Sequence, residues 1–78
     1  MGAKVRFLGV LKDSQPRSDE SGVWHVPEGM TVQDIVDQSR LMDGKWEFYI
    51  TVNGEAVLRG YRLTDGDEVV FSTLFLGG

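Results

Sequence analysis

No cysteine and only one histidine, His25, occur among the 78 residues of this chain. Neither a disulfide nor a zinc site of Cys and His ligands is open to it, although domains this small often depend on one or the other. A domain of this length buries only about 60–65% of the surface its unfolded chain exposes. The fold must therefore rest on one well-packed core. The 41% apolar content is enough to supply that core and excludes a wholly disordered chain.

The periodicity says how the core is divided. Val5 and Phe7 alternate with Lys4 and Arg6, so residues 3–11 read as a strand. Residues 12–21 are polar and contain Pro16, which reads as a loose hairpin loop. Residues 22–27 (GVWHVP) form a second strand, closed by Pro27. A helix follows. Thr31 and Asp34 make a T-x-x-D capping box, and Met30 and Ile35 stand where a hydrophobic staple needs them. Val32, Ile35 and Val36 form its apolar stripe, with Gln33, Asp34, Asp37 and Gln38 turned away. Asp37 is spaced to pair with Arg40, and Gly44 marks the end of the region.

Trp46, Phe48, Ile50 and Val52 alternate with Glu47, Tyr49 and Thr51 as a third strand. Asn53-Gly54 is a strong hairpin signal, with residues 56–58 as the short return. Thr64-Asp65-Gly66-Asp67 makes another tight turn into a last strand over 68–76. In that strand Val69 and Phe71 take one face, and Val70, Ser72, Leu74 and Leu76 the other. The order strand, strand, helix, strand, short strand, strand predicts an α+β layer fold of β-grasp type. One main helix covers one face of a mixed four- to five-stranded sheet, with the first and last strands parallel at its centre. Residues 1–76 are read as a single domain and 77–78 as a flexible Gly-Gly tail.

The formal charge of −4 and pI near 4.7, with dispersed Lys and Arg, argue against nucleic-acid binding and favour a partner with a basic docking surface. No stretch approaches the ~18 apolar residues of a membrane span. The N-terminal segment has no apolar signal region, and Arg6 stands where a myristoylation motif wants Ser or Thr. A cytoplasmic location and no membrane partner are expected. Trp24 and Trp46 read as packing residues, and His25 as an ordinary strand residue. Asp65, Asp67 and Glu68 read as turn chemistry, not as metal ligands. Gly44-Lys45 lacks a phosphate-loop context, and no acid–base or nucleophilic constellation is visible, so the chain is expected to be no enzyme.

Val52-Asn53-Gly54-Glu55, then Leu63, then Asp65-Gly66-Asp67-Glu68-Val69, and finally Gly77-Gly78 resemble the ThiS/MoaD family of ubiquitin-like sulfur carriers. The resemblance spans most of the domain and is most specific in the last thirty residues. It implies that a ubiquitin-activating-like adenylyltransferase uses ATP to adenylate Gly78, and that a sulfur donor enzyme converts it to a thiocarboxylate. A sulfur-accepting synthase, in thiamin- or molybdopterin-type or related biosynthesis, then receives the sulfur. No cofactor would be bound by this chain itself. Gly77, Leu76 and Phe75 would occupy the enzyme's channel, where residues without a Cβ enter most easily. Leu8, Val70 and Leu74 would form an exposed apolar docking face. Two other readings stand beside this one: a ubiquitin-like protein modifier and a plain β-grasp binding module. Molybdopterin-synthase subunits usually carry prolines just before the glycines, whereas Ser72-Thr73-Leu74-Phe75-Leu76 has none. That departure weakens the molybdopterin assignment, and the bulky Phe75-Leu76 pair asks for a roomier channel.

Overall fold

The computed structural model describes residues 2–39, 41 and 47–73. The chain forms β1 (Gly2–Phe7), a 3-10 helix (Gly9–Ser14), β2 (Trp24–Pro27) and α1 (Val32–Gln38), then β3 (Phe48–Val52), β4 (Glu55–Ala56) and β5 (Glu68–Thr73). The sheet order is β2-β1-β5-β3-β4. β1 and β5 run parallel, with Val5 opposite Val69 and Phe7 opposite Phe71. β2 and β3 flank them antiparallel. The expected mixed sheet with a parallel central pair is present, and it has five strands.

Strand alternation sorts the side chains as the sequence indicates. Ala3, Val5, Phe7, Trp24, Val26, Ile50, Val52, Val69 and Phe71 point inward to meet Val32, Ile35 and Val36 of α1. Phe71 is stacked on Phe7 at 4.5 Å between ring centroids, and Trp24 meets Phe7 edge-on at 6.2 Å. Aromatic burial of this kind compensates a small domain for the lack of covalent staples. The helix starts as read. Thr31 Oγ1 accepts from the Asp34 N–H, and an Asp34 carboxylate oxygen accepts from the Thr31 N–H. Among the described residues no helix is long and apolar enough to cross a membrane.

Several boundaries differ from the sequence reading. β1 stops at Phe7 because Gly9 takes a positive φ of 59° and starts the 3-10 helix, which buries Leu11. Residues 12–21 are accordingly not a loose loop. The Gln15 carboxamide accepts from the Phe7 N–H and donates to the carbonyls of Arg17 and Gly22, standing in for a strand neighbour beyond β2. β2 itself begins at Trp24. Asp37 accepts from Gln33, and α1 closes at Ser39. The expected partner Arg40, together with Gly44 and Trp46, lies outside the described residues. The return strand is Glu55–Ala56, and Leu58 is 85% exposed, so it forms no part of it. At the hairpin, Asn53 and Gly54 both have positive φ, 53° and 87°, as the tight turn requires.

Candidate functional site

β5 is the element that delivers the chain to its last five residues, so its placement decides where they emerge. Its entry is fixed by a buried carboxylate. Asp67 is 5% exposed and accepts from the Asn53 side-chain amide at 3.0 Å and the Tyr61 hydroxyl at 3.2 Å. It also accepts from the Thr64 N–H at 2.9 Å and the Thr64 hydroxyl at 3.1 Å. Donation by the Thr64 backbone N–H, opposed by burial and reinforced by Asn53, Thr64 and Tyr61, holds its pKa below the ordinary 3.8. Burial and the adjacent Asp67 charge push the Tyr61 hydroxyl up. Asn53 Oδ1 accepts from the Glu68 N–H, and the Asn53 N–H donates to the Glu68 carbonyl. The Lys4 N–H donates to the Asp67 carbonyl, and the Gly66 N–H, from a residue with φ of 87°, donates to the Gly2 carbonyl. The Asn-Gly and Asp-Gly-Asp motifs thus meet in space, and together they lock the start of β5 against both β1 and β3.

Asp67 is thus engaged as turn chemistry, bonded to Thr64 across the turn and to Asn53 and Tyr61 beside it. Asp65 and Glu68 are exposed on either side of the knot. His25 is exposed, and its Nε2 is hydrogen-bonded to an Asp19 carboxylate oxygen at 2.7 Å. Donation by the Val23 N–H, then by His25, lowers the Asp19 pKa to about 2. Asp19 thereby closes the turn that leads into β2, and His25 needs no further role to explain its place.

At the exit of β5, Thr73 lies opposite Phe48, and the Leu8 N–H donates to the Phe71 carbonyl. Beyond Thr73 the residues expected to thread a channel, Phe75, Leu76 and Gly77, the residue expected to react, Gly78, and Leu74, expected on the docking face, all lie outside the described residues. The other two docking residues do share a face. Val70 is half-buried on the side of the sheet opposite α1, and Leu8, in extended backbone and 45% exposed, lies one step nearer the exit. The sequence reading omitted two members of that face. Tyr49, 44% exposed, lies opposite Ser72, and Arg6 lies opposite Val70. The period-2 alternation assigned each its face. Their adjacency to β5 comes from inter-strand register, which no local pattern states.

A five-stranded sheet in this order, with one α-helix packed on its inner face, defines a ubiquitin-like β-grasp protein. The sequence model of the ThiS family matches residues 5–78, and the chain belongs to that family. Among solved structures it is similar to the crystal structure of SAMP1 from Haloferax volcanii. The TM-score is 0.68 at 22% identity, covering 100% of each chain. At that identity the likeness speaks for the fold alone. No curated protein matches the chain.

Proposed function

We propose that this chain carries sulfur as a thiocarboxylate on Gly78, acting as a protein co-substrate and not as an enzyme. The observation that carries the reading is the family match, which runs through Gly78, on a domain whose acidic knot is wholly engaged in holding β5. The Gly78 carboxylate attacks the α-phosphorus of ATP on a ubiquitin-activating-like adenylyltransferase, giving an acyl-adenylate and releasing pyrophosphate. A persulfide of the sulfur donor enzyme displaces AMP. A thiol then cleaves the S–S bond, leaving the thiocarboxylate on Gly78 and a disulfide behind. ATP belongs to the enzyme's site, and a synthase accepts the sulfur.

In this reading Gly77, Leu76 and Phe75 thread the enzyme's channel, while Leu8, Val70 and Leu74 form part of the docking face. The chemistry needs no side-chain nucleophile here, which suits a chain without cysteine. Deleting Gly77-Gly78 provides the test. The truncated chain is expected to keep its melting temperature and to lose all ATP–pyrophosphate exchange with the adenylyltransferase of the same organism. Unchanged partner-dependent activity after the deletion would instead identify a binding module whose glycines are incidental.

A further inference from the structure

We propose that the open sheet face docks on an acidic site of the partner, with Arg6 as the central ion-pairing residue. This rests on the carrier reading above and names the chemistry of the surface that receives it. It also reverses the expectation, drawn from the net charge of −4, that the partner surface is basic.

Register lays the face out in three rows. Farthest from the exit of β5, His25, Lys4 and Glu68 lie side by side across β2, β1 and β5. Lys4 and Glu68 are direct neighbours of opposite charge there, so that pair is close to charge-balanced. The middle row is Arg6, Val70, Thr51 and Ala56, and Arg6 is its only charge. The row nearest the exit, with Ser72 opposite Tyr49 and Leu8 alongside, has none. Arg6 therefore stands as a single cation against an apolar and hydroxyl-bearing strip. Among the described residues it forms no ion pair.

The exposed acids of α1, Asp34 and Asp37, lie across the sheet from this face. The exposed Glu47 shares the parity of Tyr49 at the exit end, but the middle of the face carries only the charge of Arg6, which the negative charge of the whole chain does not reveal. An Arg beside Val70, on a face that also carries Tyr49 and Leu8, has the composition that interface centres favour. A guanidinium is also suited to bidentate carboxylate recognition. Beside it lies a bay of about 220 Å³, lined by Lys4, Arg6, Asp19, His25, Glu68 and Val70 among others. Small-molecule pockets run to roughly 300–1,000 Å³, so the bay suits an inserted protein side chain better than a free ligand.

The experiment measures the adenylyltransferase's KM and kcat for this carrier by ATP–pyrophosphate exchange, over a series of salt concentrations. Wild type is compared with Arg6→Glu, Arg6→Gln and Arg17→Glu. Arg17 is likewise an exposed cation and lines the groove beyond the far edge of β2. Arg6→Glu is expected to raise KM about tenfold or more with kcat nearly unchanged, and Arg6→Gln to raise it less. Both variants should flatten the rise of KM with salt, and Arg17→Glu should stay within about twofold of wild type. Should Arg6→Glu lose its fold, as shown by its melting temperature, Arg6→Gln carries the test. Equal effects at Arg6 and Arg17, or a wild-type KM indifferent to salt, would overturn the acidic docking site while leaving the carrier reading intact. A wild type that supports no exchange at all would overturn both.

Discussion

At the entry to β5 the polar side chains turn inward on the fold: Asp67, Asn53, Thr64 and Tyr61 bond to one another and to the backbone. From the middle of β5 to its exit they turn outward, and Arg6, Ser72, Tyr49 and Thr51 lie on an open face beside Val70 and Leu8. One strand therefore has an anchored end and a presenting end. Both are polar, and the difference is in where the hydrogen-bonding capacity is used. A buried group must be satisfied internally, since leaving it unpaired costs about 1–3 kcal/mol. Among the described residues no buried side-chain polar atom lacks a partner. An exposed group is satisfied by water and stays available to another protein.

Substitutions along β5 and its neighbours can break or sharpen that contrast. The largest expected effect is Phe71→Ala, in the middle of the strand between the rings of Phe7 and Phe48. It should lower stability by about 3–5 kcal/mol in denaturant unfolding, a large part of the ~5–15 kcal/mol available to a whole domain.

Asp67→Asn comes next, at about 2–3 kcal/mol, because hydrogen bonds to a charged acceptor are lost in a buried site. Its pH dependence has a definite sign. The Asp67 pKa is lowered in the folded state, so the unfolded chain takes up its proton first as pH falls below the ordinary 3.8. The stabilisation by Asp67 is fully present above that value and disappears as pH drops through the folded pKa. The gap between wild type and Asp67→Asn should therefore narrow on acidification, as urea midpoints measured across that range would show. A constant gap would mean that the charge of Asp67 is not what holds the knot.

Thr31→Ala, which removes one half of the capping box, should cost about 1 kcal/mol. The smallest effect on stability is expected on the presenting side. Tyr49→Ala should change the unfolding free energy by no more than about 0.5 kcal/mol, yet raise the KM of the activating enzyme. A stability loss at Tyr49 as large as that at Asp67 would erase the distinction between the two ends.

The core was legible because it is written locally. Val5 and Phe7, Ile50 and Val52, and Val69 and Phe71 alternate at strand period, and Thr31 with Asp34 announces the helix. The Asn53-Gly54 turn was equally plain. What escaped the sequence depends on long-range contacts. Nothing near Gln15 says that its amide will cap the edge of β1, and Leu11 is buried only because the chain turns at Gly9 onto the sheet. Asp65-Gly66-Asp67 reads locally as turn chemistry, but its meeting with Asn53 spans the β3–β5 register. The same register places Arg6 beside Val70, so the charge of the open face could not be read from the composition.

A chain that delivers sulfur from Gly78 must carry that sulfur in the mass of the intact protein. The wild-type chain is incubated with the adenylyltransferase of its organism, ATP and a persulfide sulfur donor, and then weighed. The expected result is a gain equal to the difference between one sulfur and one oxygen atom, located on Gly78 by fragmentation and absent without ATP. High-mass conjugates lacking that sulfur gain, or an unchanged Gly78 carboxylate in the presence of active enzyme, would contradict it.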